Sequence, residues 1–271
     1  MNLSEKREAL LTLLQSYESC LVAFSAGVDS ATMAKAACLA LGNRAVAVTS
    51  VSPSLATGEK EQAEQIAREI GIEHILVSTK EIENRSYQKN DGRRCFHCKT
   101  ELYTDLAKVA SEKKIATIVN GANLDDLTDY RPGMEAADNF LVKSPFIETN
   151  ISKNEIRQLA HEWALPIWDK PAMPCLASRI SYGLEVTRER LRMVDQAEAF
   201  LKSLGLVELR VRLHENDLAR IELPQESILP FLKHQSTVKE KFQEFGFQFV
   251  TLDLAGLRSG SFNHLVTLKA P

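Results

Sequence analysis

Residues 20–30, CLVAFSAGVDS, decide the fold, because an apolar run of strand length passes through small residues into a helix-like segment at 30–41. A strand that enters a helix in this way leaves backbone N–H groups pointing outward at the helix N-terminus, where the helix dipole adds partial positive charge. This arrangement predicts a phosphate-binding loop. A plain strand-to-helix turn made of small residues is the alternative.

The loop carries an acid, Asp29, at the point where the commonest nucleotide-binding loop carries a lysine. The Walker A pattern, G-x-x-x-x-G-K-S/T, is missing from the whole sequence, which excludes that class of loop. An aspartate in an anion site suits a Mg²⁺ ion that bridges to phosphates. Ser25 and Ser30 add hydroxyl donors, and the backbone of Ala26 and Gly27 completes the predicted site.

Strand-like and helix-like segments alternate through the first half of the chain. Strand-length apolar runs occur at 20–24, 45–50, 72–77 and 117–120, and helical patterns at 4–17, 30–41, 57–70, 102–113 and 152–163. Ser152 and Glu155 form a capping box at the start of the last helix. Strands separated by such helices indicate an α/β fold with a doubly wound parallel sheet.

The last third of the chain has a different pattern. A stretch rich in proline and small residues, DKPAMPCLASRISYG (169–183), precedes it. A helix is predicted at 187–204, strands at 207–213 and 218–223, a second helix at 225–244 and a strand at 247–253. This αββαβ order predicts a smaller α+β domain, so we divide the chain into domains at 1–182 and 183–271.

Composition restricts the function further. The net charge of −3 gives no support to a broad basic surface for nucleic acid. No apolar run of about 18 residues is present, and the N-terminus has no signal-peptide core, so we expect a cytoplasmic protein without a membrane span. The five cysteines are then expected to be buried, metal-bound or catalytic rather than disulfide-linked. Cys20 and Cys38 lie in apolar segments and are predicted core residues.

SAGVDS (25–30) resembles the SGGxDS signature of the PP-loop ATP pyrophosphatases. The resemblance implies an enzyme that cleaves ATP between the α and β phosphates and adenylates a carbonyl or carboxylate oxygen. The departure from the signature is Ala26, which stands where the family usually has glycine. A methyl group is tolerated there only if the backbone φ angle is negative, and we therefore expect a negative φ at Ala26.

Four further segments resemble one branch of these proteins, the LarE family of sulfur-inserting enzymes of nickel-pincer nucleotide biosynthesis. They are GANLDDLTDYRPG (121–133), PCLASRISYG (174–183), LRVRL (209–213) and LDLAGLRSGSFN (252–263). The resemblance implies an ATP-binding, adenylating first domain and a second domain for substrate binding and oligomerisation. It also implies that ATP and Mg²⁺ adenylate the carboxylates of pyridinium-3,5-dicarboxylate mononucleotide, which a thiolate or sulfide then converts to thiocarboxylates.

The sulfur donor has two candidate forms. Cys175 lies close to Arg179 in sequence, and a nearby cation favours the thiolate. In the family, the matching cysteine can be sacrificial: it forms a thioester-linked adduct, loses its sulfur by β-elimination and becomes dehydroalanine. Other members resemble this chain in having three cysteines, here Cys95, Cys98 and Cys175, that ligate a [4Fe-4S] cluster whose open iron carries a donor sulfide. Two thiols on a loop without metal, or a zinc site with His97, are the alternatives.

Weaker signals mark the ligand contacts. Asp125 or Asp126, of which we choose Asp126, is a candidate second Mg²⁺ ligand, with a helix N-cap as the alternative role. Family resemblance places adenine and ribose near Ser50 and Ser52, and Arg131 is a candidate phosphate contact. The predicted substrate-binding residues belong to the second half of the chain: Ser178, Arg179, Glu198, Arg210 and Arg212. Glu198 and Glu222 would orient the arginines, and a solvated charged strand face is the alternative.

Three rival functions share parts of these patterns. A PP-loop tRNA thiolase uses similar chemistry, but the acidic balance disfavours a nucleic-acid partner. An amidating ligase like NAD or GMP synthetase would need no cysteine. A non-enzymatic adenine-nucleotide sensor would keep the fold without the reaction. The expected partners are a small-molecule nucleotide, a sulfide donor and further copies of the chain in a homo-oligomer.

Overall fold

The computed structural model describes residues 1–128, 132–258 and 261–262, which form two compact units. The first unit comprises Met1–Ser52, Gly58–Glu81 and Cys95–Met173. The second comprises Pro53–Thr57, Ile82–Arg94 and the described part of Pro174–Pro271. The domains predicted at 1–182 and 183–271 are defined by function and stay a prediction, but the segment with Cys175 groups with the C-terminal unit.

A four-stranded parallel sheet forms the centre of the first unit. Its strands are β1 (Cys20–Ala23), β2 (Ala45–Val51), β3 (Glu73–Ser78) and β4 (Thr117–Val119), in the spatial order β3-β2-β1-β4. Every neighbouring pair is parallel, and Cys20 lies opposite both Ala45 and Thr117. The α/β class and the parallel sheet predicted from the sequence are therefore confirmed.

Helices connect and cover these strands. They are α1 (Leu3–Gln15), α2 (Val28–Leu41), α3 (Glu59–Ile70), α5 (Arg94–Lys113), α6 (Pro132–Asn139), α7 (Pro145–Glu148) and α8 (Lys153–Glu162), while α4 (Arg85–Gln88) belongs to the second unit. Ser152 caps α8 and forms the predicted capping box with Glu155. Within the described ranges, no helix combines the length and apolar character needed to cross a membrane.

Apolar side chains pack on both faces of the sheet, because successive residues of a strand point to opposite sides. Cys20, Val22 and Ala47 pack on one face with residues of α1, α2, α3 and α8. On the other face, Leu21 and Val48 pack with residues of α5 and α6. The doubly wound arrangement expected from the sequence follows from these two separate cores.

The strand order reverses at β1, which lies between β2 and β4. In open parallel sheets, ligands bind at the carboxyl ends of the strands where the order reverses. The chain leaves β1 through residues 24–27 and leaves β4 through residues 120–123. These two connections therefore meet at the position where a ligand site is expected.

The second unit is built on a mixed three-stranded sheet. Strands β5 (Arg210–His214), β6 (Leu218–Glu222) and β7 (Phe249–Leu252) lie in that order, with β5 and β6 antiparallel and β6 and β7 parallel. Its helices include α9 (Arg188–Ser203), α10 (Gln225–Leu232) and α11 (Gln235–Phe245). The single helix predicted at 225–244 was wrong, since α10 contains Pro230, which removes a helical hydrogen bond, and ends soon afterwards. The smaller α+β unit is confirmed.

Candidate active site

The loop between β1 and α2 is shaped by its own serines. The Ser30 hydroxyl donates to the Gly27 carbonyl over 3.1 Å and accepts the Ser25 N–H over 3.1 Å. The Ser25 and Ser30 hydroxyl oxygens are also 3.1 Å apart. Because Ser30 uses its proton on Gly27, Ser25 is the donor between the two hydroxyls. Both predicted hydroxyl donors are therefore engaged within the loop itself.

Ala26 adopts a left-handed backbone conformation, with φ of 57°. The expectation of a negative φ at this position was wrong. A left-handed conformation places the Cβ of an L-residue against its own backbone, at a cost of about 1–2 kcal/mol. The Ala26 side chain is completely buried, so the surrounding loop holds this conformation. The glycine-like backbone shape at position 26 of the predicted phosphate loop is thus adopted by an alanine.

Helix α2 presents an uncapped N-terminus at the end of this loop. Gly27 is the N-cap residue and, having no side chain, makes no side-chain capping hydrogen bond to the first turn. The first helical N–H groups, on Val28 and Asp29, have no partner within the helix by geometry. Together with the helix dipole, these groups can bind an anion such as a phosphate. The predicted role of Gly27 at the phosphate loop is consistent with this position.

Gly121, after β4, allows the loop to be packed this closely. A Cβ atom at Gly121 would lie 2.9 Å from the Asp29 carbonyl carbon and 2.9 Å from the Ser30 nitrogen. Those atoms belong to the backbone of the first turn of α2, which cannot move as a flexible side chain can. Sequence analysis did not assign this role, because Gly121 and Asp29 are distant in the sequence and only the fold brings them together.

The partly exposed Asp29 carboxylate forms a salt bridge with a lysine of α8. Lys153 Nζ lies 2.6 Å from Asp29 Oδ1 and 2.5 Å from Oδ2. The Lys153 N–H donates to Asp125 Oδ2 over 2.6 Å, which fixes the first residue of α8 beside the connection after β4. Asp125 is not the N-cap residue of α8, which is Ser152, but it accepts the first N–H of that helix from the connection after β4. Sequence analysis did not identify Lys153. A cation in the first turn of a helix is repelled by the helix dipole, and this unfavourable position is the signal that could have identified it.

Of the remaining predicted nucleotide contacts, Ser50 and Ser52 lie at the carboxyl end of β2 and Asp126 lies in the connection after β4. Asp126 is largely buried, and its Oδ2 accepts the Asn123 N–H over 3.1 Å. The Ser50 hydroxyl is 2.6 Å from that of Thr79, which donates to buried Glu81 over 2.8 Å. Ser52 follows β2 directly. Arg131 lies outside the described residues.

Cys95 and Cys98 lie in the first turns of α5, so the predicted loop carrying C-x-x-C was wrong. The Asp91 side chain accepts the Arg93 N–H over 2.8 Å just before the helix begins. Residues three apart on a helix share one face, so both thiols can point to one ligand. Within the described residues, no three His, Cys, Asp or Glu side chains form a group suited to a metal ion.

Cys20 and Cys38 occupy core positions, as predicted. Burial raises the pKa of the Cys20 thiol to about 12, so this thiol is protonated at neutral pH. Cys38 is half-buried against the same core, with its sulfur 3.7 Å from the Ile70 carbonyl. Neither cysteine has the exposure of a reactive thiol.

Cys175 is exposed at the start of a 3₁₀ turn, Leu176–Arg179, in the second unit. The Ser178 hydroxyl donates to the Cys175 carbonyl over 2.7 Å. Arg179 donates to the Pro174 carbonyl over 2.5 Å and to Ser178 Oγ over 2.9 Å. The guanidinium of Arg179 therefore fixes the backbone that carries Cys175.

Buried ion pairs hold this turn on the sheet of the second unit. Arg179 Nε donates to Glu198 Oε1 over 2.9 Å, and Arg212 donates to Glu222 Oε2 over 2.9 and 3.0 Å. Arg212 also donates to the Ser178 carbonyl over 2.9 Å. Arg179, Arg212 and both glutamates are almost fully buried. Glu198 and Glu222 thus orient Arg179 and Arg212, whereas the prediction had paired them with Arg210 and Arg212, and the alternative of a solvated strand face was wrong for Arg212.

Arg210 differs from its two neighbours. Its Nη1 donates to the Arg258 carbonyl over 2.9 Å, and within the described part of the chain no carboxylate lies at ion-pair distance. Burial lowers the pKa of Arg210, and the charges of Arg212 and Arg179 lower it further. The guanidinium of Arg210 is therefore a half-buried positive charge that an anionic ligand would stabilise.

Comparison with known proteins places the chain among sulfur-transferring enzymes. No model of a protein family matches it. It is 46% identical over 267 residues, covering 98% of this chain and 99% of the relative, to uncharacterized protein slr1717 of Synechocystis sp.. It is 34% identical over 266 residues, covering 98% and 96%, to the pyridinium-3,5-bisthiocarboxylic acid mononucleotide synthase of Lactiplantibacillus plantarum. Uncharacterized protein MJ0830 of Methanocaldococcus jannaschii is 32% identical over 171 residues, 63% of this chain and 66% of that protein. The chain therefore belongs to the LarE family of sulfur transferases.

Proposed function

We propose that this protein uses ATP to adenylate the carboxylates of pyridinium-3,5-dicarboxylate mononucleotide and converts them to thiocarboxylates, in nickel-pincer nucleotide synthesis. The observation that carries the proposal is the loop after β1. It keeps a left-handed turn at Ala26 without a glycine and leaves the first N–H groups of α2 uncapped. The relation to the synthase along nearly the whole chain supports the same activity.

In the first step, a carboxylate oxygen of the substrate attacks the α-phosphorus of ATP. The bond from that phosphorus to the bridging oxygen breaks, and its electron pair leaves with pyrophosphate. The N–H groups at the start of α2 are positioned to stabilise negative charge on the phosphates. AMP then becomes the leaving group in the second step, whereas the original carboxylate oxygen would be a very poor one.

The carboxylates beside the loop suit a magnesium ion, since hard cations prefer oxygen ligands. Asp29 and Asp126 would hold it, and Asp29 already binds a cation in the form of the Lys153 ammonium. Magnesium would supply charge neutralisation at the phosphates. Ser50 and Ser52 would contact the adenosine, and Arg131 the phosphates.

Sulfur transfer in the sacrificial form needs only Cys175. Its thiolate attacks the acyl carbon, the C–O bond to AMP breaks, and a thioester forms. The Cα proton of Cys175 then leaves with a base as the Cβ–S bond breaks, so the thiocarboxylate departs and dehydroalanine remains. The exposed position of Cys175 on a braced turn suits such an attack.

A [4Fe-4S] cluster is the second source of sulfur that we propose. The thiols of Cys95 and Cys98, on one face of α5, fit two of its thiolate ligands, and Cys175 would be the third. The cluster would supply an exchangeable sulfide, so that Cys175 would not be consumed. Arg210 would bind the substrate phosphate. The other residues of the proposed substrate site are Ser178, Arg179, Glu198 and Arg212.

The two sulfur sources are separated by metal content and by the fate of Cys175. The protein is purified without oxygen, and iron and acid-labile sulfide are measured for wild type, Cys95→Ala, Cys98→Ala and Cys175→Ala, with Cys38→Ala as a control. A cluster predicts about four irons per chain, lost in the three site variants and kept in the control. Absence of iron after anaerobic reconstitution would rule out the cluster, and loss of H₂S from Cys175 after reaction would then identify the sacrificial route.

A further inference from the structure

A buried arginine is hydrogen-bonded to the turn that carries Cys175. Arg94 is the first residue of α5, and Cys95 follows it directly in the chain. Its Nη1 donates to the Ala177 carbonyl over 2.9 Å, two residues after Cys175. Only 4% of the surface of Arg94 is exposed. The proposed reaction assigns no role to this side chain.

Asn90 extends this contact along the backbone that follows the turn. Its Oδ1 accepts a second hydrogen bond from Arg94 Nη1 over 2.6 Å. Its Nδ2 donates to the Ser181 and Leu184 carbonyls over 2.9 and 2.8 Å, and its own carbonyl accepts the Gly183 N–H over 2.9 Å. Asn90 is completely buried in a left-handed conformation, which asparagine tolerates better than most residues. One asparagine thus holds the backbone after the turn and orients the arginine.

The geometry of Arg94 suits a fixed position rather than a mobile one. The two protons of Nη1 match the two acceptors, the Asn90 side chain and the Ala177 carbonyl. The guanidinium carbon lies 5.3 Å from the centroid of the Tyr182 ring, within the range of a cation–π contact. A planar, directional donor of this kind loses little freedom for each hydrogen bond it makes, unlike the single nitrogen of a lysine.

We infer that Arg94 is a positioning residue for sulfur transfer: it fixes the backbone that carries Cys175, the thiol that both proposed sulfur sources require. The inference rests on the proposed function, because it assigns a role in the second step of that reaction. Arg94 acts through the turn and takes no part in adenylation. A displacement of about 1 Å can slow a reaction between positioned groups about 100-fold. Water would then attack the acyl adenylate first, so AMP would form without thiocarboxylate.

The test measures adenylation and sulfur transfer separately in Arg94→Met and Arg94→Lys. Adenylation is followed with hydroxylamine, whose nitrogen attacks the acyl carbon of the adenylate, so that a hydroxamate forms and AMP leaves. Sulfur transfer is followed as thiocarboxylate formed without hydroxylamine. Arg93→Ala is the matched control, because Arg93 is exposed and the N–H that Asp91 accepts is kept in alanine.

Two further measurements show whether the effect passes through the turn. Thermal unfolding without ligand is measured for each variant, and Arg94→Lys, which keeps the buried charge, carries the test if Arg94→Met is unfolded. Hydrogen exchange is then measured at the backbone amides of residues 176–186. Exchange there should be faster in the Arg94 variants than in the wild-type protein, because the hydrogen bond to the Ala177 carbonyl is lost or weakened.

Both Arg94 variants should form hydroxamate within about twofold of the wild-type rate and thiocarboxylate about 10- to 100-fold more slowly, with the smaller loss in Arg94→Lys. Arg93→Ala should match wild type in every measurement. Thiocarboxylate formation at the wild-type rate, an equal fall of both rates, or unchanged exchange at residues 176–186 would overturn the inference alone. Absence of both hydroxamate and AMP with the wild-type protein would overturn the proposed function as well.

Discussion

At the scale of single residues, Ala26 shows how closely the backbone conformation of the loop after β1 is fixed. The signature that this loop resembles has glycine here, and the structure keeps the glycine-like φ of 57° for an alanine. The loop therefore stores strain that its hydrogen bonds and the packing around Ala26 must offset.

Replacing Ala26 by glycine should relieve this strain. Glycine adopts positive φ without steric cost but loses more backbone entropy on folding, so a net stabilisation of about 1 kcal/mol or less is expected. Urea unfolding measures the change, and ATP binding should be kept. Ala26→Val serves as the opposite variant, since a β-branched residue at positive φ in a filled site should destabilise by more than about 2 kcal/mol. A large destabilisation by glycine would contradict the account of the loop.

Gly121 sets the position of the first turn of α2. In Gly121→Ala the new methyl group would meet backbone atoms at 2.9 Å, and the turn would have to move. We expect a loss of about 1–3 kcal/mol in unfolding free energy and weaker ATP binding. Gly27→Ala is the stability control, because its Cβ would meet only Ser25 Oγ at 3.5 Å. Equal stability of the two variants would show that Gly121 does not support the loop.

At the scale of elements, the two arginines of strand β5 differ in their hydrogen-bond partners. Arg212 is braced by Glu222, and Val211 donates its N–H to Glu198 over 3.1 Å, whereas Arg210 is unpaired with any carboxylate among the described residues. Glu198→Ala should cost about 3–5 kcal/mol of unfolding free energy, because it leaves Arg179 buried without its partner.

Arg210→Ala should keep the unfolding free energy within about 0.5 kcal/mol, since it removes a charge repelled by Arg212 and Arg179. Under the proposed function, the same variant should lose affinity for the substrate mononucleotide, which binding calorimetry measures. A stable Glu198→Ala together with an unfolded Arg210→Ala would reverse these assignments.

The contact between α1 and α8 predicts a pH dependence. Burial alone would raise the pKa of Glu155, but hydrogen bonds from Lys6 and Ser152 outweigh it and lower that pKa. Its contribution to stability, about 1 kcal/mol, is therefore present above the ordinary glutamate pKa of about 4.3 and lost as the pH falls through the lower folded value. The difference in unfolding free energy between wild type and Glu155→Gln should be constant above about pH 5 and shrink below it. A difference that grows on acidification would have the wrong sign.

Local patterns in the sequence predicted most elements, and their failures have local causes. The start of α5 at Arg94 was not predicted, because the predicted helix began only at Leu102. Asp91 and its turn are followed by Gly92 and two arginines, and these residues show no apolar helical periodicity. The break between α10 and α11 was missed because Pro230 was treated as compatible with one long helix.

At the scale of the whole molecule, alternating strand and helix patterns were sufficient to predict the parallel sheet and the second α+β unit. They could not predict that Pro53–Thr57 and Ile82–Arg94 group with the C-terminal unit, which depends on contacts such as Ser54 with Tyr87 and Asn90 with Ser181. The same limit applies to the site. Asp29 was predicted from its loop, but its partner Lys153 is 124 residues away.

The transfer of carboxylate oxygen to AMP tests the central claim most directly. The substrate mononucleotide is prepared with a heavy oxygen isotope in its carboxylates and incubated without oxygen with the protein, ATP and Mg²⁺, and the AMP is analysed by mass spectrometry. Adenylation followed by sulfur attack predicts one heavy oxygen in each AMP and a matching amount of thiocarboxylate. AMP that carries no label, or label found in inorganic phosphate beside ADP, would contradict the proposed reaction.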